Sequence, residues 1–560
     1  MNLLGKACDK NFWKEVREKD CYAFFREQVE HCYHEKYESA EYTADKYSEF
    51  KMFFTTGNRT VYEKHFFDKS MAMNSAALLA LIYPDEDKYI NALMDLIFTI
   101  CDRYTWCLPA HQGQNEYNDN SHIDLFAAET AFSLAEIYTL LGDRLDSVIK
   151  SRIETEIKRR VFDSYEAEAP YKHWEHCTNN WAAVCTASVA GAYMLMKPER
   201  VESLLPRFER AMECFLSGYK DDGVCSEGCG YWNYGFGYFV MYADMIKSFT
   251  SGKIDHFANP KVKSISMFIQ NMFLSEDTSV SFSDAGKSAR YALGIVHYLK
   301  KIYPDDVLVY DLEYSTILLS DARISYALRS ATWFEPEYAA HPDEINADKV
   351  FVANDTEWLI KRNAKFGFAG KGGNNAEFHN HNDVGSFIIA KDGNHIFTDP
   401  GSAVYTRQYF VRETRYDVLE TQSLGHSVPI INGVAQKAGE QYCARGFKFE
   451  NDVFSFDMSD AYGILELKAL NRSFSFSDSA VTLCDKFDFD SDSEVTERFI
   501  LTCKPEVCDG YFVADGVKVS ASAYESFEIS SVTLTRGSKI YILDFKLARN
   551  ADSFNMKIEM

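Results

Sequence analysis

Apolar side chains recur at helical spacing along the first 320 or so residues of the chain. In DLFAAETAFSLAEIYTLLGD, residues 124 to 143, Leu134, Ile137 and Leu141 lie three or four positions apart. Gly142 follows them as a helix stop signal. This pattern predicts an amphipathic helix with one buried face.

The segment WAAVCTASVAGAYMLM, residues 181 to 196, is apolar or small on nearly every side and predicts an inner helix enclosed by others. The chain shows no fixed-period repeat of a known solenoid family. Inner and outer helices joined by short connections therefore predict an incomplete (α/α) toroid. Further helical stretches are expected at about 74 to 101, 204 to 218, 236 to 250 and 287 to 302.

From about residue 350 the apolar positions alternate with polar ones. GSFIIAKDGNHIFTDPG places Asp392 and Gly393 between two apolar runs, which predicts a β-hairpin. Similar stretches with turn residues at short intervals follow, and together they predict an antiparallel β-sandwich. We therefore expect a helical domain over residues 1–330, a linker over 331–350 and a β-sandwich domain over 351–560.

Charge and composition narrow the possible partners. The 560 residues carry a formal charge of −24, which argues against nucleic acid or an anionic membrane as the main partner. The N-terminal residues lack the pattern of a secretory signal, and no apolar run is long enough to span a bilayer. The 14 scattered cysteines fit reduced thiols, so we expect a cytoplasmic protein. A homo-oligomer is compatible with this sequence.

The stretch AEFHNHNDVGSF, residues 376 to 387, is the first candidate for chemistry. On a strand, His379, His381 and Asp383 would point to one face. His381, together with Asp399 and His426 downstream, would form a set of two histidines and one carboxylate. Such a set suits zinc or a similar divalent ion, such as manganese or calcium. The alternative is that backbone carbonyls satisfy these histidines.

Two polar clusters interrupt the helical half. HWEHCTNNW, residues 173 to 181, offers side-chain amides just before the inner helix, where they can hold a carboxylate or simply cap the helix. DDGVCSEGCGYWNYGFGYF, residues 221 to 239, combines glycines with phenols and indoles that can stack on sugar rings or transfer protons. Packing is the competing explanation for these aromatic residues.

These motifs resemble the heparinase II/III-like polysaccharide lyases. KGGNNAEFHNHNDVGSFIIAKDGNHIFTDPGSAVYT is similar to the signature of that family, and NNW, SEGCGYWNYG and WCLPAH are similar to its helical-domain elements, in the same order. The resemblance implies an (α/α) toroid followed by an antiparallel β-sandwich. It further implies β-elimination on an anionic oligo- or polysaccharide that contains uronic acid.

The same resemblance implies roles for single residues. Asn180 would bind the substrate carboxylate, and His379 would neutralise that carboxylate or act as the base, depending on the epimer cleaved. Tyr234 is our first choice for the base and acid, and Tyr231 is the second. Tyr405 would be a further phenol in the site.

The remaining roles concern the metal and the substrate. His381, Asp399 and His426 match the metal triad of the family, which supports the β-domain structurally and is not a Lewis acid. Trp181 stands where some relatives have a histidine, which shifts the expected base toward tyrosine. The substrate-binding candidates are His111, Asn179, Trp181, Glu227, Trp232, Arg407 and Arg412.

Several functions remain open at this stage. Fragments of hyaluronan, chondroitin or heparosan are the expected substrates, with alginate or another uronan as the alternative. A second hypothesis is a non-catalytic protein that binds uronate oligosaccharides. A third is a metal-dependent hydrolase that uses His381, Asp399 and His426 to activate water.

Overall fold

The protein is represented by a computed structural model that describes residues 3–40, 45–112, 121–167, 172–319, 323–338 and 347–560, without the side chain of Arg412. The chain forms two compact units. One unit, here called the helical unit, comprises Met1–Tyr219, Asn233–Ser266 and Tyr291–Ala340. The other, here called the β unit, comprises Lys220–Trp232, Met267–Arg290 and His341–Met560.

The helices lie mainly in the first part of the chain, as the apolar spacing predicts. They are α1 Lys10–Glu18, α2 Ala23–Tyr33, α3 Tyr47–Thr56, α4 Thr60–Ile82, α5 Asp87–Asp102, α6 Leu125–Leu141, α7 Ser147–Ile157, α8 Asp163–Ala167, α9 Asn180–Met196, α10 Pro198–Ser217, α11 Cys229–Tyr231, α12 Gly237–Phe249, α13 Pro260–Ser266, α14 Phe268–Asn271, α15 Leu293–Ile302, α16 Ile324–Thr332, α17 Arg407–Phe410 and α18 Arg412–Arg415. None of the described helices is long and apolar enough to cross a membrane.

Inner and outer helices alternate in the helical unit. Helices α4, α6, α9 and α12 are buried on most faces and follow one another in the packing, whereas α5 and α10 pack on them from outside. This arrangement agrees with the expected toroid. The stretch expected to be helical over 74 to 101 is two helices, because Pro84 disfavours helical geometry at Tyr83.

Helix α6 differs from its prediction. It is buried on nearly all sides instead of one, and it carries Glu129 and Glu136 into the interior. Arg323 pairs with Glu129 at 3.0 Å, and Arg329 pairs with Glu136. The sequence does not indicate this burial, because the arginine partners of Glu129 and Glu136 lie 194 and 193 residues later in the chain.

The strands dominate the later part of the chain. They are β1 Phe273–Ser275, β2 Thr278–Ser279, β3 Tyr291–Ala292, β4 Ser315–Thr316, β5 Lys349–Ala353, β6 Trp358–Arg362, β7 Gly367–Lys371, β8 Asn374–Asn375, β9 Phe387–Lys391, β10 Asn394–Phe397, β11 Ile430–Ile431, β12 Gly439–Cys443, β13 Arg445–Glu450, β14 Val453–Asp457, β15 Leu467–Ser477, β16 Ala480–Phe489, β17 Val495–Leu501, β18 Glu506–Cys508, β19 Tyr511–Ala514, β20 Val517–Ser522, β21 Ser526–Thr533, β22 Lys539–Lys546 and β23 Ser553–Glu559.

Two large antiparallel sheets form the β unit over its described residues. One has the order β21-β22-β17-β10-β9-β7-β6-β5 with β11 beside β17, and the other has the order β13-β14-β15-β16-β23-β20-β19-β18. Residues of both sheets, among them Phe368, Phe387, Phe474 and Phe545, share one apolar core. The predicted fold class, helical first and antiparallel β-sandwich second, is therefore confirmed.

The predicted hairpin is also confirmed. Strands β9 and β10 pair with Asn394 opposite Lys391, which leaves Asp392 and Gly393 as a two-residue turn. Both turn residues have positive φ angles, 48° and 72°, as a type I′ turn requires. Asparagine, aspartate and glycine tolerate this geometry best, which is why the dipeptide is a reliable signal.

The stretch that begins with Ala376 is not a strand, contrary to expectation. Residues 376–386 form an irregular loop between β8 and β9. His379 has a φ of 54°, in the left-handed region that non-glycine residues rarely occupy. The alternation of polar residues therefore reflects individual contacts of the loop and not the two faces of a sheet.

Candidate active site and metal centre

A buried carboxylate, Asp284, lies at the centre of the candidate site. Its Oδ2 contacts His379 Nδ1 and accepts a hydrogen bond from the hydroxyl of Tyr405 at 2.9 Å. Its Oδ1 lies 3.2 Å from His381 Nε2 and accepts a hydrogen bond from the hydroxyl of Tyr409. One carboxylate therefore gathers two histidines and two tyrosines.

Tyr231 joins this cluster through Tyr405. The two hydroxyl oxygens are 2.9 Å apart, and the Tyr231 ring stacks on the His379 ring at 4.4 Å between centroids. Because Tyr405 gives its only hydroxyl proton to Asp284, it accepts the proton of Tyr231. Phenol, phenol and carboxylate thus form a directed chain of hydrogen bonds.

The charges in this cluster depend on burial and on pairing. Burial opposes ionisation of Asp284, but hydrogen bonds from His379 and His381 outweigh it and hold the pKa of Asp284 well below its ordinary value. Burial and the negative charge of Asp284 raise the pKa of Tyr231 well above its ordinary value. The phenol of Tyr231 is therefore protonated at neutral pH.

Short segments hold the cluster together. The loop around Ala285 passes between Gly228 and Gly401, where an added Cβ atom would lie 2.7 Å from the Ala285 Cβ and 2.5 Å from its carbonyl oxygen. Only glycine permits such close approach of two backbones. The short helix α11, directly after Gly228, carries Tyr231, and the loop after Gly401 carries Tyr405.

A buried arginine fixes the loops that carry the histidines. Arg472 pairs with Asp485 and donates hydrogen bonds to the carbonyl oxygens of Gly385, at 2.9 Å, and Ser427, at 2.7 Å. Gly385 closes the loop that holds His379 and His381, and Ser427 follows His426. The sandwich core thereby positions both loops.

Three residues of the β unit form the candidate metal centre. His381, Asp399 and His426 are fully buried, and each offers one ligand atom within 4.8 Å of the others. The Nδ1 atom of His426 lies 3.0 Å from Asp399 Oδ2, and its Nε2 atom faces the carbonyl oxygen of Glu420 at 3.0 Å. The triad predicted from spacing is thus brought together in the structure.

The unsatisfied atoms of this centre fit a cation. Among the described residues, His381 Nδ1 is buried without a hydrogen-bond partner, and so is Asp383 Oδ2. Asp383 Oδ2 lies 4.0 Å from His426 Nδ1, while its Oδ1 accepts a hydrogen bond from Lys371 at 2.7 Å. Buried polar atoms normally find partners, so these two point to a ligand between the histidines.

Tyr234, our first choice for the catalytic phenol, lies in the helical unit. The guanidinium carbon of Arg323 stands 4.0 Å from the centre of the Tyr234 ring, and Arg323 pairs with Glu129. Burial and the charge of Glu129 raise the pKa of Tyr234 well above its ordinary value. Its neighbours are packing and ion-pair residues, whereas those of Tyr231 are the candidate catalytic residues.

Four other predicted residues also lie in the helical unit. His111 contacts Asp124 at 2.7 Å and the Trp181 ring at 4.8 Å between centroids. Asn179 caps α9 by accepting a hydrogen bond from the backbone N–H of Trp181 at 3.2 Å. Asn180 is buried, with its Cβ close to Gly235. The role predicted for Asn180 remains a prediction.

The remaining substrate-binding candidates belong to the β unit. Glu227 Oε2 lies 3.4 Å from His379 Nε2, so Glu227 borders the cluster. Arg407 is exposed at the start of α17, and the side chain of Arg412 lies outside the described residues. Trp232 is fully buried near Phe268, and its predicted substrate-binding role remains a prediction.

Two residues of the cluster were not identified from the sequence. Asp284 stands directly after the stretch TSVSFS, residues 278 to 283, and no local pattern connects it to a histidine 95 residues later. Tyr409 lies between Arg407 and Arg412, and no motif distinguishes it from the other phenols of the chain. The available signal was the alternation of Val280 and Phe282 with serines, which is a strand pattern within the helical half.

The chain is similar to known proteins in its fold. No protein-family model and no curated protein matches the chain. Three solved structures are similar over nearly the whole chain. They are heparinase III (TM-score 0.61, 11% identity, 98% of this chain and 91% of that chain), a heparan sulfate lyase HepC mutant from Pedobacter heparinus (0.60, 12%, 100% and 87%) and the chondroitin AC lyase of Streptomyces coelicolor A3 in complex with chondroitin sulphate (0.54, 11%, 98% and 82%).

Proposed function

We propose that this protein, which has the fold of heparinase III and chondroitin AC lyase, is a polysaccharide lyase that cleaves uronic-acid glycans by β-elimination. The observation that carries the proposal is the cluster of Tyr231, Tyr405, His379 and Asp284. It combines the protonated phenol of Tyr231, which is linked to a buried carboxylate through Tyr405, with an imidazole that contacts the same carboxylate. The activities for which heparinase III and chondroitin AC lyase are named support the same class of reaction.

The reaction breaks two bonds of the glycan and forms one double bond. A base removes the proton from carbon 5 of the uronate, and the electron pair forms the double bond between carbons 4 and 5. The bond between carbon 4 and the glycosidic oxygen then breaks, and an acid protonates that oxygen. A positioned donor must hold the uronate carboxylate, because negative charge develops there.

The cluster offers groups for these tasks. Tyr231 is the acid, because its raised pKa keeps its proton available for the departing oxygen. Where Tyr231 is the acid, the neutral form of His379 takes the proton of carbon 5 in the same turnover and then returns it to the Tyr231 phenolate. Where His379 holds the uronate carboxylate instead, Tyr231 enters as the phenolate, takes the proton of carbon 5 and passes that same proton to the departing oxygen. His379 presents Nε2 away from Asp284 and is the group that faces the uronate carboxylate or the carbon 5 proton.

We assign a structural divalent metal, zinc in the first instance, to His381, Asp399 and His426. Two imidazole nitrogens and a carboxylate oxygen are a common ligand set for zinc. The buried Nδ1 of His381, which has no hydrogen-bond partner among the described residues, supports this assignment. Bound there, the ion would join the loops that carry these three residues. Full burial of all three donors is typical of a structural site.

The proposed substrates are acidic polysaccharides, because the similar structures include a heparan sulfate lyase and a chondroitin AC lyase. Fragments of hyaluronan, chondroitin or heparosan are the proposed substrates. Alginate is the competing substrate, and each polymer is tested separately.

The test is the ultraviolet absorbance of the unsaturated uronate after incubation with each polymer. The wild-type protein is expected to generate absorbance on at least one uronan, and Tyr231→Phe should lower kcat by about 10²–10⁴-fold with an unchanged melting temperature. Tyr234→Phe should retain most of the activity. Loss in Tyr234→Phe but not in Tyr231→Phe would reverse the assignment of the phenol.

The other outcomes distinguish the rival functions. Binding of a uronan without any absorbance would indicate a non-catalytic binding protein. Saturated products, lost on treatment with a chelator, would indicate a metal-dependent hydrolase.

A further inference from the structure

We propose that Asp284 is a positioning residue that couples the metal triad to the substrate-facing histidine. The substrate role of His379 rests on the proposed lyase function, whereas the coupling itself does not. The sequence motifs assign His379 and His381 to different tasks, yet both imidazoles contact the same carboxylate.

The two oxygens of Asp284 contact different residues of the cluster. Oδ2 contacts His379 and Tyr405, and Oδ1 contacts His381 and Tyr409. The side chain of Asp284 is fully buried. A rotation of the carboxylate that improves one pair of contacts therefore disturbs the other pair.

Asp284 sets the proton position on His381. A carboxylate only accepts hydrogen bonds, so Nε2 of His381 carries the proton in the neutral ring. The lone pair then lies on Nδ1, the buried atom that has no hydrogen-bond partner among the described residues. This is the ligand atom that a cation at the triad requires. Carboxylates that orient ligand histidines in this way raise metal affinity.

Asp284 also fixes the ring of His379. The backbone of His379 is in the left-handed region, with a φ of 54°, and a strained residue keeps such a conformation only when its surroundings hold it. Asp284 holds the Nδ1 edge, and the Tyr231 ring covers one face at 4.4 Å. Loss of the carboxylate removes the contact at Nδ1.

The proposal thus predicts communication between two neighbouring sites. A cation on Nδ1 of His381 strengthens the hydrogen bond that Nε2 donates to Asp284 Oδ1. The Asp284 carboxylate then rotates, and this rotation changes the contact between its Oδ2 atom and His379 Nδ1. If Asp284 merely filled space in the core, neither the metal nor the ring of His379 would depend on its charge.

The first experiment measures zinc binding and needs no substrate. Chelator-treated full-length protein is titrated with zinc chloride, and wild type is compared with Asp284→Asn, which keeps the shape of the side chain. We expect the affinity for zinc to fall about 10–100-fold. Asp457→Asn is the control, because the Asp457 carboxylate accepts hydrogen bonds from two backbone N–H groups but lies on β14 of the other sheet. Wild-type affinity in a folded Asp284→Asn protein would overturn the proposal.

The second experiment follows His379 directly and also works if Asp284→Asn fails to fold. Histidines of the wild-type protein are labelled with ¹⁵N, and the His379 signals are assigned by their absence in His379→Gln. Adding zinc to chelator-treated wild-type protein should shift both ring nitrogens of His379. In Asp284→Asn this response should be lost. A wild-type His379 spectrum that does not change on zinc binding would refute the coupling.

The third experiment connects the coupling to turnover. On a uronan that the wild-type protein cleaves, Asp284→Asn should lower kcat by at least 10-fold and change KM less than about 3-fold, because the histidine is misplaced while the rest of the binding surface remains. An unchanged kcat would reject the positioning role. If no uronan is cleaved but zinc still shifts His379, the lyase proposal fails and the coupling stands.

Discussion

At the scale of single residues, the site is organised by one carboxylate that no sequence motif identifies. Asp284 contacts His379, His381, Tyr405 and Tyr409, each of which lies 95 or more residues later in the chain. The histidines themselves were identified from their spacing. Their partners were not, because a hydrogen bond between distant residues leaves no local trace in the chain.

The metal triad gives a prediction at this scale. His426→Ala should abolish the binding of one zinc ion per chain, since it removes one of three ligands and leaves Asp399 without its contact at 3.0 Å. In the wild-type protein zinc should raise the melting temperature, because a ligand that binds only the folded state stabilises it. Metal analysis after dialysis and thermal unfolding with and without zinc measure both effects.

The control for this prediction is an exposed histidine. His31→Ala, on α2, should bind zinc as the wild type does. A His426→Ala protein that still takes up one zinc ion with wild-type affinity would mean that the triad is not the metal centre.

At the scale of elements, local geometry decides the hairpin between β9 and β10. Gly393→Ala should destabilise the β unit by about 1–2 kcal/mol, because a residue with a Cβ atom is sterically strained at a left-handed φ of 72°. The added Cβ would also lie 2.5 Å from Glu276 Oε2. Chemical unfolding measures the change.

The matched substitution in the same turn should behave differently. Asp392→Asn keeps a residue that tolerates the left-handed conformation, so the free energy of unfolding should change by less than about 0.5 kcal/mol. Equal losses in both variants would show that the turn geometry does not determine the stability of this hairpin.

The buried ion pair between β15 and β16 tests how the sheet supports the site. Arg472→Met should cost about 3–5 kcal/mol, because Asp485 would remain buried without its partner. It should also loosen the loops ending at Gly385 and Ser427, whose carbonyl oxygens accept hydrogen bonds from Arg472. Denaturant unfolding and zinc affinity are the two measurements.

A partly exposed pair serves as the comparison for Arg472. Arg445 of β13 pairs with Asp460 at 3.0 Å, and both side chains are exposed to water. Arg445→Met should cost less than about 1 kcal/mol and leave zinc binding unchanged. If Arg472→Met were equally mild, the buried pair would not be what holds these loops.

At the scale of the whole molecule, stability should fall in mild acid. Burial lowers the pKa of His297 in the helical unit and of His395 in the β unit to about 4, from an ordinary value of 6.5. The unfolded chain therefore takes up these protons first, so the stability that these two neutral histidines contribute is complete above pH 6.5 and is lost as the pH falls toward 4. At pH 5 the loss is about 2 kcal/mol for each histidine.

Thermal unfolding between pH 7.5 and pH 4.5 measures this effect. His297→Gln and His395→Gln should each lower the stability at pH 7.5 but flatten its decline with pH. A decline as steep as that of the wild type in both variants would assign the acid sensitivity to other groups.

The amino-acid sequence alone predicts the order of the two fold types, the hairpin at Asp392 and Gly393, and the three residues of the candidate metal centre. The first two depend on features that act over a few residues, namely the spacing of apolar positions and the backbone preference of two residues. The third depends on the ligand chemistry of histidine and aspartate and on the resemblance of the motif to that of a known family.

Which distant segments lie together is visible in the three-dimensional structure alone. Lys220–Trp232 and Met267–Arg290 lie in the helical half of the sequence, yet they belong to the β unit and bring Tyr231 and Asp284 to His379. The glutamates of α6 are likewise buried only because arginines from α16 and the segment before it pair with them. Burying a charge requires a partner, and nothing in the local sequence states which distant residue will provide it.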